Sequence, residues 1–206
     1  WGEYHSEDLV HWHFDGVPLV PDTAWDCHGV YTGSTVVEDD RLAVIYTGNV
    51  KVDGQHDFIH TGREANVIRI DRYPDGTWSP KRLLLSWQDY PSFCTRHVRD
   101  PKVWRQGHEW FMVTGARRQD DQGMVLLWRS DDGEQWHFKS VITSEKAFGY
   151  MWECPDLFRL DGHWFLSFSP QGVTREQDRR QNIYLSGYIL MKGGEDPCTA
   201  ELDGDF

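Results

Sequence analysis

Three stretches of the chain repeat one alternation of apolar and polar positions. They are "YTGSTVVEDDRLAVIYTG" from Tyr31, "RDPKVWRQGHEWFMVTG" from Arg99 and "ECPDLFRLDGHWFLSFS" from Glu153. Each has a short apolar run, a polar turn and a second run rich in β-branched and aromatic residues. The turns fall at Glu38-Asp39-Asp40, Gln106-Gly107 and Asp161-Gly162. This pattern predicts β-hairpins, since successive strand side chains face opposite ways and turn residues reverse the chain. Leu42, Trp110 and Trp164 hold matching places, so the unit recurs every roughly 50 to 70 residues.

A second motif lies between these hairpins. "SEDLVHWHF" from Ser6 and "SDDGEQWHF" from Ser130 share a Ser, two acids and a final Trp-His-Phe, and "DGTWSPKRLL" from Asp75 is a looser version. Helical periodicity is scarce, and Gly and Pro punctuate the chain throughout. A repeat of this length, with about four strands per unit, predicts an all-β fold of β-propeller blades. The chain holds three to four of them. An open arc leaves two apolar faces uncovered, which suggests a partial propeller.

Composition narrows the function. The 206 residues include 39% hydrophobic positions and 11 Trp, ample for a core. No apolar run approaches the roughly 18 residues of a membrane span. A formal charge of −12, with few paired basic residues, argues against a nucleic-acid partner. Cys27, Cys94, Cys154 and Cys198 lie far apart without a C-x-x-C, so free thiols in a reducing compartment are expected. Asn49, Asn66 and Asn182 carry no N-x-S/T sequon. Together these point to a cytoplasmic location. The first residue is Trp1 rather than Met, so the absence of a targeting segment carries no weight.

One carboxylate stands out. Glu153 sits in "YMWECPDLF" beside aromatic, Met and Cys residues, where an ionised group loses hydration. Glycoside hydrolysis uses two carboxyl groups around one bond, one of which must hold a proton near neutral pH. Tyr150, Met151, Trp152 and Cys154 are expected to desolvate Glu153 to that end. The plainer alternative is a rim glutamate whose neighbours alternate into the blade. The repeat supplies a second acid, because "RDPKVW" occupies the place of "ECPDLF" one unit earlier. In a propeller such strand starts converge on the central axis, which brings Asp100 and Glu153 together. Aligning the prolines leaves the two acids one residue out of phase, and a bulge before one proline is expected to reconcile them.

"RDPKVW" and "WECPDLF", in this order, resemble two signatures of glycoside hydrolase family 32, the β-fructofuranosidases. The resemblance extends to "WGEYHSEDLVHW", "GVYTGS", "GARRQDDQGMVLLWRSDD", "SPQG" and "SGY", and is weakest after about Met191. It is nearest in character to bacterial sucrose or sucrose-6-phosphate hydrolases. It implies a five-bladed propeller followed by a β-sandwich, a retaining mechanism, and no metal or cofactor. Residues 1–206 are then a partial catalytic propeller domain, truncated at both ends and lacking the sandwich. By this resemblance Glu153 is the acid/base, and Asp100 hydrogen-bonds fructosyl hydroxyls and stabilises the oxocarbenium-like transition state. Arg99 adds a donor beside them, and Cys154 tunes the glutamate. Tyr31 and Ser34 fall in the family's aromatic-Ser-Gly-Ser pocket motif, here Tyr-Thr-Gly-Ser. Trp152 is the tryptophan expected to line the site, and Trp25 is a further candidate to face sugar.

The family nucleophile is an aspartate in Asn-Asp-Pro-Asn-Gly, upstream of the tryptophan matching Trp1. No Asn-Asp-Pro occurs in the 206 residues. "EDP" at Glu195 is in the wrong place. The nucleophile is therefore expected outside the chain, and the 206 residues alone are expected not to turn over sucrose. The ligand is a small sugar: sucrose, sucrose 6-phosphate or a short fructan, without nucleic acid or membrane. No basic pocket for a phosphate can be located from sequence. Another five-bladed furanosidase, such as an arabinan-cleaving enzyme, and a non-catalytic sugar-binding propeller are the competing readings. His5, His11 and His13 lack zinc-like spacing and are expected to be surface or packing residues. "DPCTAELDGDF" does not meet calcium-loop spacing.

Overall fold

The structure, a computed structural model, describes residues 1–38, 40–182 and 184–203. Asp39 of the first predicted turn and the last three residues of "DPCTAELDGDF" lie outside the described residues. A hairpin of β1 (Glu3–His5) and β2 (His13–Gly16) opens the chain. Three four-stranded antiparallel sheets follow, each with its strands in sequence order. The first contains β3 (Val30–Glu38), β4 (Arg41–Lys51), β5 (Arg63–Arg72) and β6 (Arg82–Leu85). The second contains β7 (Cys94–Gln106), β8 (Glu109–Arg118), β9 (Gly123–Ser130) and β10 (His137–Thr143). The third contains β11 (Met151–Leu160), β12 (His163–Gln171), β13 (Gly187–Lys192) and β14 (Glu201–Leu202). These are consecutive propeller blades, and β3–β4, β7–β8 and β11–β12 are the hairpins read from the repeat.

The middle blade is buried on both faces. In β8, Trp110 and Met112 pack towards Ile45 and Val67 of the first blade, while Phe111 and Val113 pack towards Leu157 and Leu166 of the third. Period-two alternation thus feeds two cores, and the strand reads as an almost unbroken apolar run. Beyond the third blade Phe158, Leu160 and Tyr188 stay exposed, and the β1–β2 hairpin exposes Tyr4, Trp12 and Phe14.

The second motif is one turn, used repeatedly. Ser6 Oγ accepts the N–H of Leu9 at 2.8 Å and Asp8 Oδ1 accepts those of Val10 and His11 at 2.9 and 2.8 Å. Between β9 and β10, Ser130 Oγ accepts from Gly133 at 2.9 Å, and Asp132 Oδ1 accepts from Glu134 and Gln135, both at 2.8 Å. The turn requires a left-handed residue. Gly133 adopts φ 74° without a Cβ clash, whereas Leu9 is forced to φ 62°. His5 and His11 pair with Asp15 and Asp8 on this exposed hairpin. Among the described residues no cluster of three metal-ligating side chains occurs.

Candidate active site

β7 and β11 break register at the same point. The β7–β8 ladder shifts between Arg99 and Lys102, and the β11–β12 ladder between Glu153 and Asp156. Both breaks fall on an X-Pro pair, Asp100-Pro101 and Cys154-Pro155, where proline has no N–H for the ladder. Asp100 and Cys154 both take left-handed backbone, at φ 62° and 49°. The expected one-sided bulge is therefore corrected: both strands carry it, and the acids stay one residue out of phase.

Sideways contacts join them instead. Arg99 Nη2 donates to Glu153 Oε1 at 2.7 Å, and Arg99 Nε lies 3.8 Å from Asp100 Oδ2. The N–H of Cys154 donates to Asp100 Oδ2 at 2.9 Å. Each residue thus meets its own counterpart in the next blade, Arg99 with Glu153 and Asp100 with Cys154. One guanidinium spans both carboxylates.

The first blade holds the bulge of β7 in place. The N–H of Asp100 donates to Thr47 Oγ1 at 2.8 Å. Ser34 Oγ donates to the carbonyl of Pro101 and accepts the N–H of Val103, both at 2.9 Å. These hydroxyls take up hydrogen bonds that the broken ladder leaves over. Ser34 is thus a clamp on β7 and does not line the hollow, which corrects its expected role as a sugar contact.

Tyr31, Arg99, Asp100, Glu153 and Cys154 line a common hollow of about 730 Å³, together with His97, Arg63 and Tyr150. Asp100 is 4% exposed. Burial pushes its carboxyl above the usual range, against the pull of the Cys154 N–H and of Arg99. Burial, reinforced by Asp100 and Glu153, pushes the Cys154 thiol up to about 11, so it stays protonated at neutral pH.

Two expectations about the opening motif are corrected. Trp152 does not line the hollow. It is fully buried, stacks on Phe168 at 4.4 Å between centroids, and donates Nε1–H to the carbonyl of Phe148 at 2.7 Å. Gly115 and Gly123 make room for it: a Cβ on Gly115 would lie 1.9 Å from the Trp152 carbonyl oxygen. The apolar sheath around Glu153 is likewise absent, because Met151 and Trp152 turn into the blade and leave its side chain 29% exposed against Arg99. Trp25 also lies outside the lining and holds Asn66 through its carbonyl.

Three functional groups had escaped the sequence reading. Thr47 sits in the second half of the hairpin repeat, at the strand position facing the next blade's bulge. His97 precedes Arg99 by two residues in β7, the spacing that puts both on one face. Arg63 donates Nη1–H to Asn49 Oδ1 and Nε–H to the Phe58 carbonyl, both at 3.2 Å. It has no carboxylate within ion-pair distance among the described residues.

Comparison with known proteins bears on this constellation. Residues 1–200 match the family model described as "Glycosyl hydrolases family 32 N-terminal domain". A sucrose-6-phosphate hydrolase of Bacillus subtilis is 38% identical over 100% of the chain and 43% of its own length. A mutant of a Bombyx mori GH32 β-fructofuranosidase, solved in complex with sucrose, superposes with TM-score 0.81 at 34% identity, covering 98% of this chain and 41% of that one. The sucrose-6-phosphate hydrolase of Lactobacillus gasseri superposes with TM-score 0.84 at 26% identity, covering 98% and 40%. The chain spans about two fifths of the length of the curated relatives it matches.

Proposed function

This chain belongs to glycosyl hydrolase family 32, and on that premise we propose that its parent protein hydrolyses the β-fructofuranosyl bond of sucrose or sucrose 6-phosphate with retention. The observation that carries the reading is Arg99, whose guanidinium reaches Glu153 and Asp100 at one sugar-sized hollow. Glu153 is the acid/base: it protonates the departing glycosidic oxygen and then activates water. Asp100 accepts hydrogen bonds from fructosyl hydroxyls, and its anion opposes the positive charge that develops on the ring. Tyr31 and Cys154 complete the sugar's wall.

The nucleophile comes from outside the 206 residues. The sequence has no Asn-Asp-Pro, and Asp100 and Glu153 are the carboxylates lining the hollow among the described residues. Arg63 supports a phosphorylated substrate. It is a half-buried cation at the hollow that no described carboxylate neutralises, and a phosphate is its natural partner. The relatives' names agree with that choice. The four cysteines, all thiols, support a cytoplasmic location.

The test is kinetic. The longer gene product is expected to release β-fructose first from sucrose 6-phosphate or sucrose, whereas the 206-residue chain is expected to release none. Turnover by the shorter chain would overturn the outside nucleophile. Release of α-fructose would overturn retention.

A further inference from the structure

His97 is held between two fixed partners. Arg99 donates Nη1–H to His97 Nδ1 at 2.8 Å, and the other ring nitrogen, Nε2, lies 2.9 Å from the Phe58 carbonyl oxygen. A guanidinium can only donate and a carbonyl can only accept. The ring must therefore be neutral, with its proton on Nε2 and a free lone pair on Nδ1. Arg99 in turn uses its second terminal nitrogen, Nη2, on Glu153. A continuous line of bonds thus runs from the Phe58 carbonyl through His97 and Arg99 to the Glu153 carboxylate.

We infer that His97 is a positioning residue for the fructosyl-transfer site, a neutral acceptor that fixes the Arg99 guanidinium so that one face serves Glu153 and Asp100 together. This rests on the functional reading above. The free energy of an arginine side chain lies partly in its many rotamers, and a planar fork gives directional recognition only when it is held. Carboxylates alone do not hold it, because Glu153 must exchange its proton and reposition during the cycle. A neutral acceptor does not compete with those acids for charge.

The surroundings keep the ring neutral. Arg99 from β7, Arg63 from β5 and Arg117 from β8 all bear on it, and the Phe58 carbonyl pulls the other way, in favour of the charged form. Burial, then those cations, bring its pKa down to about 4. The carboxylates of Asp100 and Glu153 face Arg99 rather than the ring. At neutral pH His97 is therefore uncharged.

Two substitutions separate the two ring bonds. His97→Gln places an amide nitrogen where Nε2 stood and removes the acceptor for Arg99. His97→Asn places an oxygen where Nδ1 stood and removes the Phe58 bond. In the full-length gene product, His97→Gln is expected to lower kcat by up to about 10²-fold with little change in KM, the cost of a misplaced catalytic group. His97→Asn is expected to recover the larger part of that loss. Equal losses in both variants, following their loss of thermal stability, would overturn the inference.

A second readout needs no activity. Nitrogen-15 spectra of the histidine rings, with His97 assigned by its absence in His97→Asn, are expected to show protonated Nε2 and bare Nδ1 down to pH 5. An imidazolium at pH 6, or a proton on Nδ1, would overturn it. A wild-type protein without fructosidase activity but with this ring signature would sink the functional reading and leave the Arg99 anchor standing.

Discussion

The N–H of Cys154 donates to Asp100 Oδ2 at 2.9 Å, so the residue that occupies Asp100's place in the next blade is the one that holds the Asp100 carboxylate. Both have left-handed backbone and both precede a proline. The repeat of the bulge turns an intrablade irregularity into a contact between blades. An aspartate sits comfortably in such a conformation, a cysteine less so, at a strain of about 1–3 kcal/mol. The bond from the Cys154 N–H to Asp100 holds that conformation in place.

Glu153→Gln is the most direct test of the acid. The amide keeps the shape and can still accept from Arg99, but it cannot donate a proton to a leaving oxygen. Turnover of sucrose by the full-length enzyme is expected to fall by about 10²–10⁴-fold with substrate binding nearly intact. A fructoside whose leaving group needs no proton should be largely spared. Equal losses on both substrates in steady-state kinetics would remove Glu153 from the acid role.

Asp100→Asn should divide activity from stability. Loss of the anion is expected to cost about 10²–10³-fold on every fructoside, whatever its leaving group. Burial raises the Asp100 pKa in the folded protein above its unfolded value. Between those two values the folded state binds more protons than the unfolded one, so stability falls as pH rises through that window and stays reduced above it. At neutral pH the neutral asparagine is therefore expected to melt higher than the aspartate. The same shift places the acid limb of kcat/KM above the ordinary carboxylate range. A variant that melts lower at pH 7 would contradict the account.

Thr47→Val tests the clamp on the bulge. Its hydroxyl is the acceptor for the buried N–H of Asp100, and valine has the same outline without an acceptor. The unsatisfied donor is expected to cost about 1–3 kcal/mol in urea unfolding. Activity should fall as well, because Asp100 no longer has a fixed backbone. Thr47→Ser keeps the hydroxyl and is expected to stay close to wild type on both measures.

Much of the fold was legible in the sequence because it depends on local patterning. The hairpins follow from alternation and turn chemistry, and the recurring Ser-x-Asp turn reappears with the same bonds at Ser6 and Ser130. The meeting of Arg99, Asp100 and Glu153 follows from their shared place in successive repeats. Their contacts do not. Trp152 borders Glu153 in sequence, yet the space beside Gly115 and Gly123 draws it into the core. Ser34 matches a sugar-pocket motif, yet it faces the backbone of β7. Thr47 acts across a blade boundary on Asp100, and His97 is anchored by the Phe58 carbonyl, both at sequence distances that no local pattern encodes, whereas the His97–Arg99 spacing of two was there to be read. Adjacent residues in a strand face opposite sides, so nearness to Glu153 in sequence was the weaker guide.

A buried ion pair outside the hollow gives the sharpest stability test. Asp26 is fully buried and accepts from Lys81 Nζ at 2.6 Å, Tyr46 Oη at 2.7 Å and Thr23 Oγ1 at 2.7 Å, tying residues 19–26 to the first blade. Burial alone would raise its pKa, but Lys81, Thr23 and Tyr46 outweigh it and hold the carboxyl below its usual value. A depressed pKa contributes stability above the unfolded value, which is lost as pH falls through the folded one. Lys81→Met removes the largest opposing contribution and leaves a buried, under-compensated charge, at an expected cost of about 3–5 kcal/mol at pH 7. Without Lys81 the Asp26 carboxyl is held less far down, so acidification through the carboxylate range should cost the variant less than it costs the wild type. Urea unfolding from pH 7 to pH 3 is therefore expected to show the gap between wild type and Lys81→Met narrowing. Adding Asp26→Asn to the variant should close much of it at pH 7. A gap that is constant with pH and indifferent to Asp26→Asn would mean that Lys81 acts through packing of its stem rather than through its charge.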